Sequence, residues 1–258
     1  MAEGDTIHFA AARIRAALAG RVPEEIVTPQ PRHRAERWPQ RLAGRTLEAV
    51  DAHGKHLFLR FEEGLTLHSH LRMTGAWAVH GEGERWHRAR ARAWLLLRGG
   101  GREIVEFDGP LLELAPDRRL RAHPRLTALG PDVLGESFDF ERFLRRLRRE
   151  DPARPIGDAL LDQRILAGIG NVWKAESCFA VGIDPWRALS ELRDDEAFAL
   201  VRFARENMRR SAESGFAARP SFVYGRAGRP CPRCGSPVRR RSQGENNRLT
   251  FWCAGCQS

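Results

Sequence analysis

"LLDQRILAGIGNVWKAE", residues 160–176, is the stretch on which the reading of this 258-residue chain turns. Gly168 and Gly170 break an apolar run, and Asn171 then opens a segment of helix-forming residues. Glycine allows close approach of a backbone to another group, and a helix start offers unpaired N–H donors, a combination that suits a phosphate. On its own Gly-Ile-Gly more often only makes a turn, so its meaning rests on what surrounds it.

Toward the C-terminus the surroundings are helical. After Asp139, Phe140, Phe143, Leu144 and Leu147 fall on one helical face, and Leu200, Val201, Ala204 and Met208 repeat the pattern. Toward the N-terminus a helix is predicted over 5–19, with Asp5 as N-cap and Ile7, Ala11, Ile14 and Leu18 as its apolar face. Beyond it the period changes to two. Leu57, Leu59 and Phe61 alternate, "EEG" turns the chain, and "LTLHSHL" resumes. "ARAWLLLR" and "REIVEF", split by glycines 99–101, predict a second hairpin. A β-rich half followed by a helical half predicts an α+β chain with a junction around residues 130–136.

The formal charge is +10, from 43 Lys plus Arg against 33 Asp plus Glu, which points to a polyanionic partner, nucleic acid before membrane. From Ala217 onward eight arginines (Arg219, Arg226, Arg229, Arg233, Arg239, Arg240, Arg241, Arg248) face a single acid, Glu245. No stretch is apolar for long enough to span a membrane. The opening "MAEGDTIHF" has neither a basic leader nor an apolar signal core, so a cytoplasmic protein is expected.

Only two lysines occur, Lys55 and Lys174. Arginine stays protonated, whereas a lysine amine can lose its proton and attack a carbonyl, which makes Lys55 in "DAHGKHLFLR" a candidate for chemistry. Four of the five cysteines stand as "CPRC" (231–234) and "CAGC" (253–256), eighteen residues apart. That spacing predicts a structural zinc site of Cys231, Cys234, Cys253 and Cys256, two thiolates from each tight turn, with no position open for catalysis. The basic arm between the turns suits a phosphate backbone. Cys178 stands apart and reads as a buried thiol.

"MAEGDTIH", "DAHGKHLFLRFEEGLTLHSHLRMTG", "LLDQRILAGIGNVWKAE" and "RLTFWCAGCQ" together resemble the formamidopyrimidine-DNA glycosylase and endonuclease VIII family of base-excision repair enzymes, in the family's order and over the whole chain. The resemblance implies an N-terminal β-sandwich domain (1–130), a helix-two-turns-helix domain (131–222) and a zinc finger (223–258), with damaged DNA in the cleft between domains. It implies a monomer working on nucleoid DNA, with zinc as its one structural ion. The activity implied is a glycosylase and abasic-site lyase that flips a damaged base out of the duplex. By position Glu3 matches the carboxyl that opens the deoxyribose, and Lys55 matches the lysine beside the lesion phosphate. Asn171 and Arg248 match phosphate-gripping groups. Met73 falls where the family fills the gap left by the flipped base, with a core methionine as the competing reading. Lys174 is expected at a phosphate or on a solvated helix face. The short stretch from Ser211 to Cys231 and the "EGDT" opening favour the endonuclease VIII branch and oxidised pyrimidines.

One position departs from the family, whose nucleophile is an N-terminal proline; here it is Ala2. Removal of Met1 would leave a primary α-amine, roughly one in seven of which is neutral at pH 7 against about one lysine in a few thousand. Three accounts follow: a lyase using Ala2 or Lys55, a lesion-binding protein whose turnover went with proline, and a deliberate alanine replacement.

Overall fold

The structure is a computed structural model describing residues 2–245 and 247–258; Met1, on whose removal the role of Ala2 depends, lies outside them. Two compact units form. One holds Ala2 and Thr6–Thr127, the other Glu3–Asp5 and Ala128–Ser258.

The first unit is built by alternation. Helix α1 (Gly4–Leu18) precedes β1 (Glu25–Val27), α2 (Pro31–Ala35) and α3 (Trp38–Leu42). Then follow β2 (Leu47–His53), β3 (His56–Phe61), β4 (Leu65–His70), β5 (Ala76–Gly81), β6 (Ala93–Gly99), β7 (Arg102–Phe107) and β8 (Leu111–Pro116), with α4 (Asp117–Arg121) and α5 (Pro124–Thr127) closing the unit. The strands form two four-stranded antiparallel sheets, in the orders β1-β6-β7-β5 and β2-β3-β4-β8. Leu57, Leu59, Leu67, Leu112 and Leu114 of one sheet and Leu95, Leu97 and Ile104 of the other share a core with Ile7, Ile14 and Leu18 of α1, so the sheets pack as a sandwich. Both predicted hairpins are present. Gly100 (φ +58°) and Gly101 (φ +70°) take the two left-handed positions of the β6–β7 turn. The β2–β3 turn pairs His53 with His56 and leaves Gly54 (φ +56°) and Lys55 as its loop.

The second unit contains α6 (Phe140–Leu147), α7 (Ile156–Ala159), α8 (Asn171–Val181), α9 (Asp194–Ser214) and the hairpin β9 (Arg239–Gln243)–β10 (Arg248–Trp252). Asp139 caps α6, its carboxylate accepting from Arg142 N at 2.8 Å. Phe143, Leu147, Trp173, Leu200, Val201, Ala204 and Met208 meet in one core, the faces that the helical period predicts. The cysteine-bearing hairpin is not free-standing: Phe251 and Val238 pack with Ala175 and Phe179 of α8.

Asp5 departs from expectation. It lies in the first turn of α1 and is fully buried. Its carboxylate accepts from Ser211 Oγ at 2.6 Å and from both arms of Arg219 at 2.7 Å. A capping role would need it two positions earlier, just before Gly4, and the bidentate arginine offers a stronger partner than a backbone N–H.

Candidate active site and nucleic-acid interface

Glu3 is completely buried, and its carboxylate sits on the N-terminus of α8. It accepts from Gly170 N at 3.0 Å, Val172 N at 2.8 Å and Trp173 N at 3.3 Å. Open donors and the positive end of the helix attract a carboxylate, so the chain start is fastened here by charge-assisted bonds. Gly170 is required by this seat, because a Cβ there would fall 2.3 Å from the Glu3 carboxyl carbon. The glycines in "GIGN" therefore open room for Glu3 and for Gly4, whose N–H donates to Gly168 O at 2.9 Å. The N–H groups expected to face a phosphate already have this intramolecular acceptor.

Along α8 the residues at positions 171, 174, 175 and 179 meet the hairpin. Asn171 Nδ2 donates to Leu249 O at 2.7 Å, which brings Asn171 beside Arg248, an exposed residue at the start of β10. Lys174 is a correction. It lies neither on a solvated face nor where a phosphate can touch it: it is 0% exposed, and Nζ donates to Thr250 Oγ1 at 2.5 Å. Helical spacing puts it one turn below Asn171, under the hairpin, and burial lowers its amine to about 8. Sequence reading passed over Glu176. Its buried carboxylate accepts from the N–H groups of Phe222 (2.8 Å), Val223 (3.1 Å) and Tyr224 (2.7 Å), holding the segment that leads to the first cysteine pair.

The four Sγ atoms of Cys231, Cys234, Cys253 and Cys256 lie within 4.8 Å of one another, with Cys231–Cys256 at 3.9 Å and Cys234–Cys253 at 3.4 Å. Metal–sulfur bonds of about 2.3 Å in a tetrahedron give sulfur–sulfur edges of about 3.8 Å. The donor set thus fits a four-coordinate metal ion. Cys178 is fully buried, and its thiol is pushed up to about 12 by burial.

In the first unit Lys55 stands at the tip of the β2–β3 hairpin, half-buried. Met73, in the turn between β4 and β5, is 56% exposed, which removes the reading of it as a core methionine. Ala2 is partly buried against the sandwich core.

Residues 1–109 match the formamidopyrimidine-DNA glycosylase N-terminal domain, and residues 129–219 the formamidopyrimidine-DNA glycosylase H2TH domain. The chain is 43% identical over 270 residues to the probable endonuclease 8 2 of Streptomyces coelicolor, covering all of this chain and 94% of that protein. It is 35% identical over 266 residues to the DNA-(apurinic or apyrimidinic site) lyase Nei2 of Mycolicibacterium smegmatis, covering 100% and 99%. The fold is that of the Lactococcus lactis formamidopyrimidine-DNA glycosylase solved with abasic-site DNA, at 22% identity with a TM-score of 0.83 and 99% of each chain aligned. With both domains matched and relatives similar along its full length, this chain belongs to the formamidopyrimidine-DNA glycosylase family.

Proposed function

We propose that the chain is a base-excision DNA glycosylase and abasic-site lyase acting as a monomer on oxidised bases, pyrimidines first, in damaged DNA. The observation that carries this reading is the seat of Glu3. A carboxylate held by three backbone N–H groups of α8 fixes the residue that follows Ala2, and so limits where the α-amine of a chain starting at Ala2 can lie. Besides anchoring the chain start, a carboxyl next to the first amine suits the proton transfers of a lyase.

In the proposed reaction the amine nitrogen bonds to C1′ of the flipped nucleotide as the bond from C1′ to the base breaks, the electron pair leaving with the base. The bond from C1′ to O4′ then breaks as O4′ takes a proton, which opens the sugar and leaves a protonated imine between the amine nitrogen and C1′. Loss of a C2′ proton sends its electron pair toward the imine and expels the 3′ phosphate, and loss of a C4′ proton then expels the 5′ phosphate. Glu3 handles the protons of the opening sugar. Lys55 stands beside the lesion phosphate, while Asn171 and Arg248 grip flanking phosphates and Met73 fills the vacated stack. Zinc held by Cys231, Cys234, Cys253 and Cys256 would supply a rigid crosslink for the basic hairpin and no chemistry. The endonuclease 8 names of similar proteins and the short 211–231 stretch support the pyrimidine preference.

Borohydride trapping on an abasic-site duplex, with the crosslinked peptide mapped by mass spectrometry, tests the proposal. A crosslink at Ala2 is expected. A crosslink at Lys55 would transfer the nucleophile to the hairpin tip, and DNA binding with no crosslink would replace the enzyme by a lesion-binding protein.

A further inference from the structure

Five of the nine histidines gather on or beside the face of the β2-β3-β4-β8 sheet that turns away from the leucine core: His53, His56, His68, His70 and His123. Three groups on it form a chain of hydrogen bonds. His68, 2% exposed, joins Glu113 Oε1 through Nδ1 at 3.0 Å and His56 Nδ1 through Nε2 at 2.9 Å. Phe58 stacks on the His68 ring at 4.9 Å and 9°, which holds the ring in plane with its partners.

Chemistry settles the direction of every bond. A carboxylate only accepts, so His68 carries its hydrogen on Nδ1. A neutral imidazole has one such hydrogen, so His68 Nε2 accepts from His56 Nδ1. His56 is left with its lone pair on Nε2. His70 runs the opposite way: Arg72 N donates to His70 Nδ1 at 3.2 Å, which puts the His70 hydrogen on Nε2. The His56 and His70 rings meet edge to face at 4.7 Å. Burial, followed by the neighbouring histidines for His56 and by the positive charge of Lys55 for His70, lowers His56 to about 2 and His70 to about 4, so both stay neutral at physiological pH.

We propose that Glu113, His68 and His56 form a positioning relay for the turn that carries Lys55, in which the carboxylate fixes both tautomers so that His56, which closes the β2–β3 turn directly after Lys55, keeps a neutral acceptor nitrogen at Nε2. A carboxylate in the place of His56 would trap Lys55 in an ion pair, and a cation would repel it. A neutral ring there holds the turn without adding a charge next to the amine. This inference rests on the proposed role of Lys55 in the lyase reaction.

Replacing Glu113 by Gln tests it. The amide can donate to His68 Nδ1, which releases the reverse tautomer and moves the His56 hydrogen from Nδ1 to Nε2. Glu113 is part-exposed, so the change is readily accommodated. Nitrogen-15 NMR of the imidazoles is expected to show His56 with its hydrogen on Nδ1 in the wild type and on Nε2 in a substantial fraction of Glu113→Gln. Single-turnover cleavage of an abasic duplex should fall on the order of tenfold, with DNA affinity within about twofold. In a His56→Leu background the Glu113 change should add nothing, because the relay is already cut. The groups facing the relay are Lys55 and His53 from the turn, His70 and Arg72 from the β4 end, His123, and Arg119 beside Glu113. None is altered by these variants. A wild-type His56 hydrogen on Nε2, or full-speed cleavage by Glu113→Gln, would overturn the relay. A wild type that cleaves nothing would instead sink the lyase reading, with the tautomers still testing the relay.

Discussion

Glu106 offers a direct test of how burial sets charge in the sandwich. Its side chain on β7 is 0% exposed, Ser69 Oγ donates to Oε1 at 2.7 Å, and Oε2 has no partner among the described residues. Gly109 leaves it room, since a Cβ there would fall 2.0 Å from Oε1. Desolvation raises the carboxyl to about 8, against the opposing pull of the Ser69 hydrogen bond and Arg32. The native state therefore holds a proton between pH 4.5 and 8 that the unfolded state has released, and stability must fall as pH rises through that window. At 1.36 kcal/mol per unit the full window is worth about 5 kcal/mol. The lowered histidines act with the opposite sign. His70, held at about 4, adds stability as pH rises from 4 to 6.5. Glu106→Gln isolates the carboxyl, because the amide keeps the acceptor for Ser69 and cannot titrate. Urea unfolding of the first unit's signal at pH 5 and pH 9 should show the variant gaining about 3–5 kcal/mol over wild type on going to the higher pH. Parallel pH dependences for the two proteins would refute a neutral buried Glu106.

Glu3→Gln exchanges a charged acceptor for a neutral one at the α8 N-terminus, and should cost about 1–3 kcal/mol in urea unfolding as well as slowing abasic-site cleavage. A variant that loses activity with unchanged stability would separate its chemical role from its structural one. Ala2→Pro should speed strand cleavage, because a secondary amine gives an iminium that is always charged; equal rates would refute that account. Arg248→Ala should reduce the salt dependence of DNA binding by about one phosphate contact, whereas Lys174→Met should leave that slope unchanged because its amine is buried. Chelation should remove one metal ion per chain by elemental analysis and abolish tight DNA binding while the sandwich keeps its own melting transition.

Much of the fold was legible because it rests on short-range periodicity. Alternation placed β3, β4, β6 and β7, and helical spacing placed the buried faces of α1, α6 and α9. The three-residue β1 and the helical turns α2 and α3 carry too little pattern to stand out, and they form where the core accepts Trp38 and Leu42. The cysteine quartet was equally plain, since ligand spacing is a local property.

What the sequence determined by itself was chemistry carried by residue type and spacing: four thiolates for a metal, a titratable amine at Lys55, a basic arm, and a family likeness in "GIGN" and its companions. Tertiary structure decided which donors those groups face. Glu3 takes the α8 N–H groups that a free helix start would offer to a phosphate, and Lys174 turns under the hairpin although its neighbours in sequence are no guide to that. His68 and Glu113 meet across 45 residues of chain. Hydrogen bonds and burial between distant segments have no signature in a local pattern, because each partner alone is an ordinary polar residue until the sheet register and the helix packing bring its counterpart to within 3 Å.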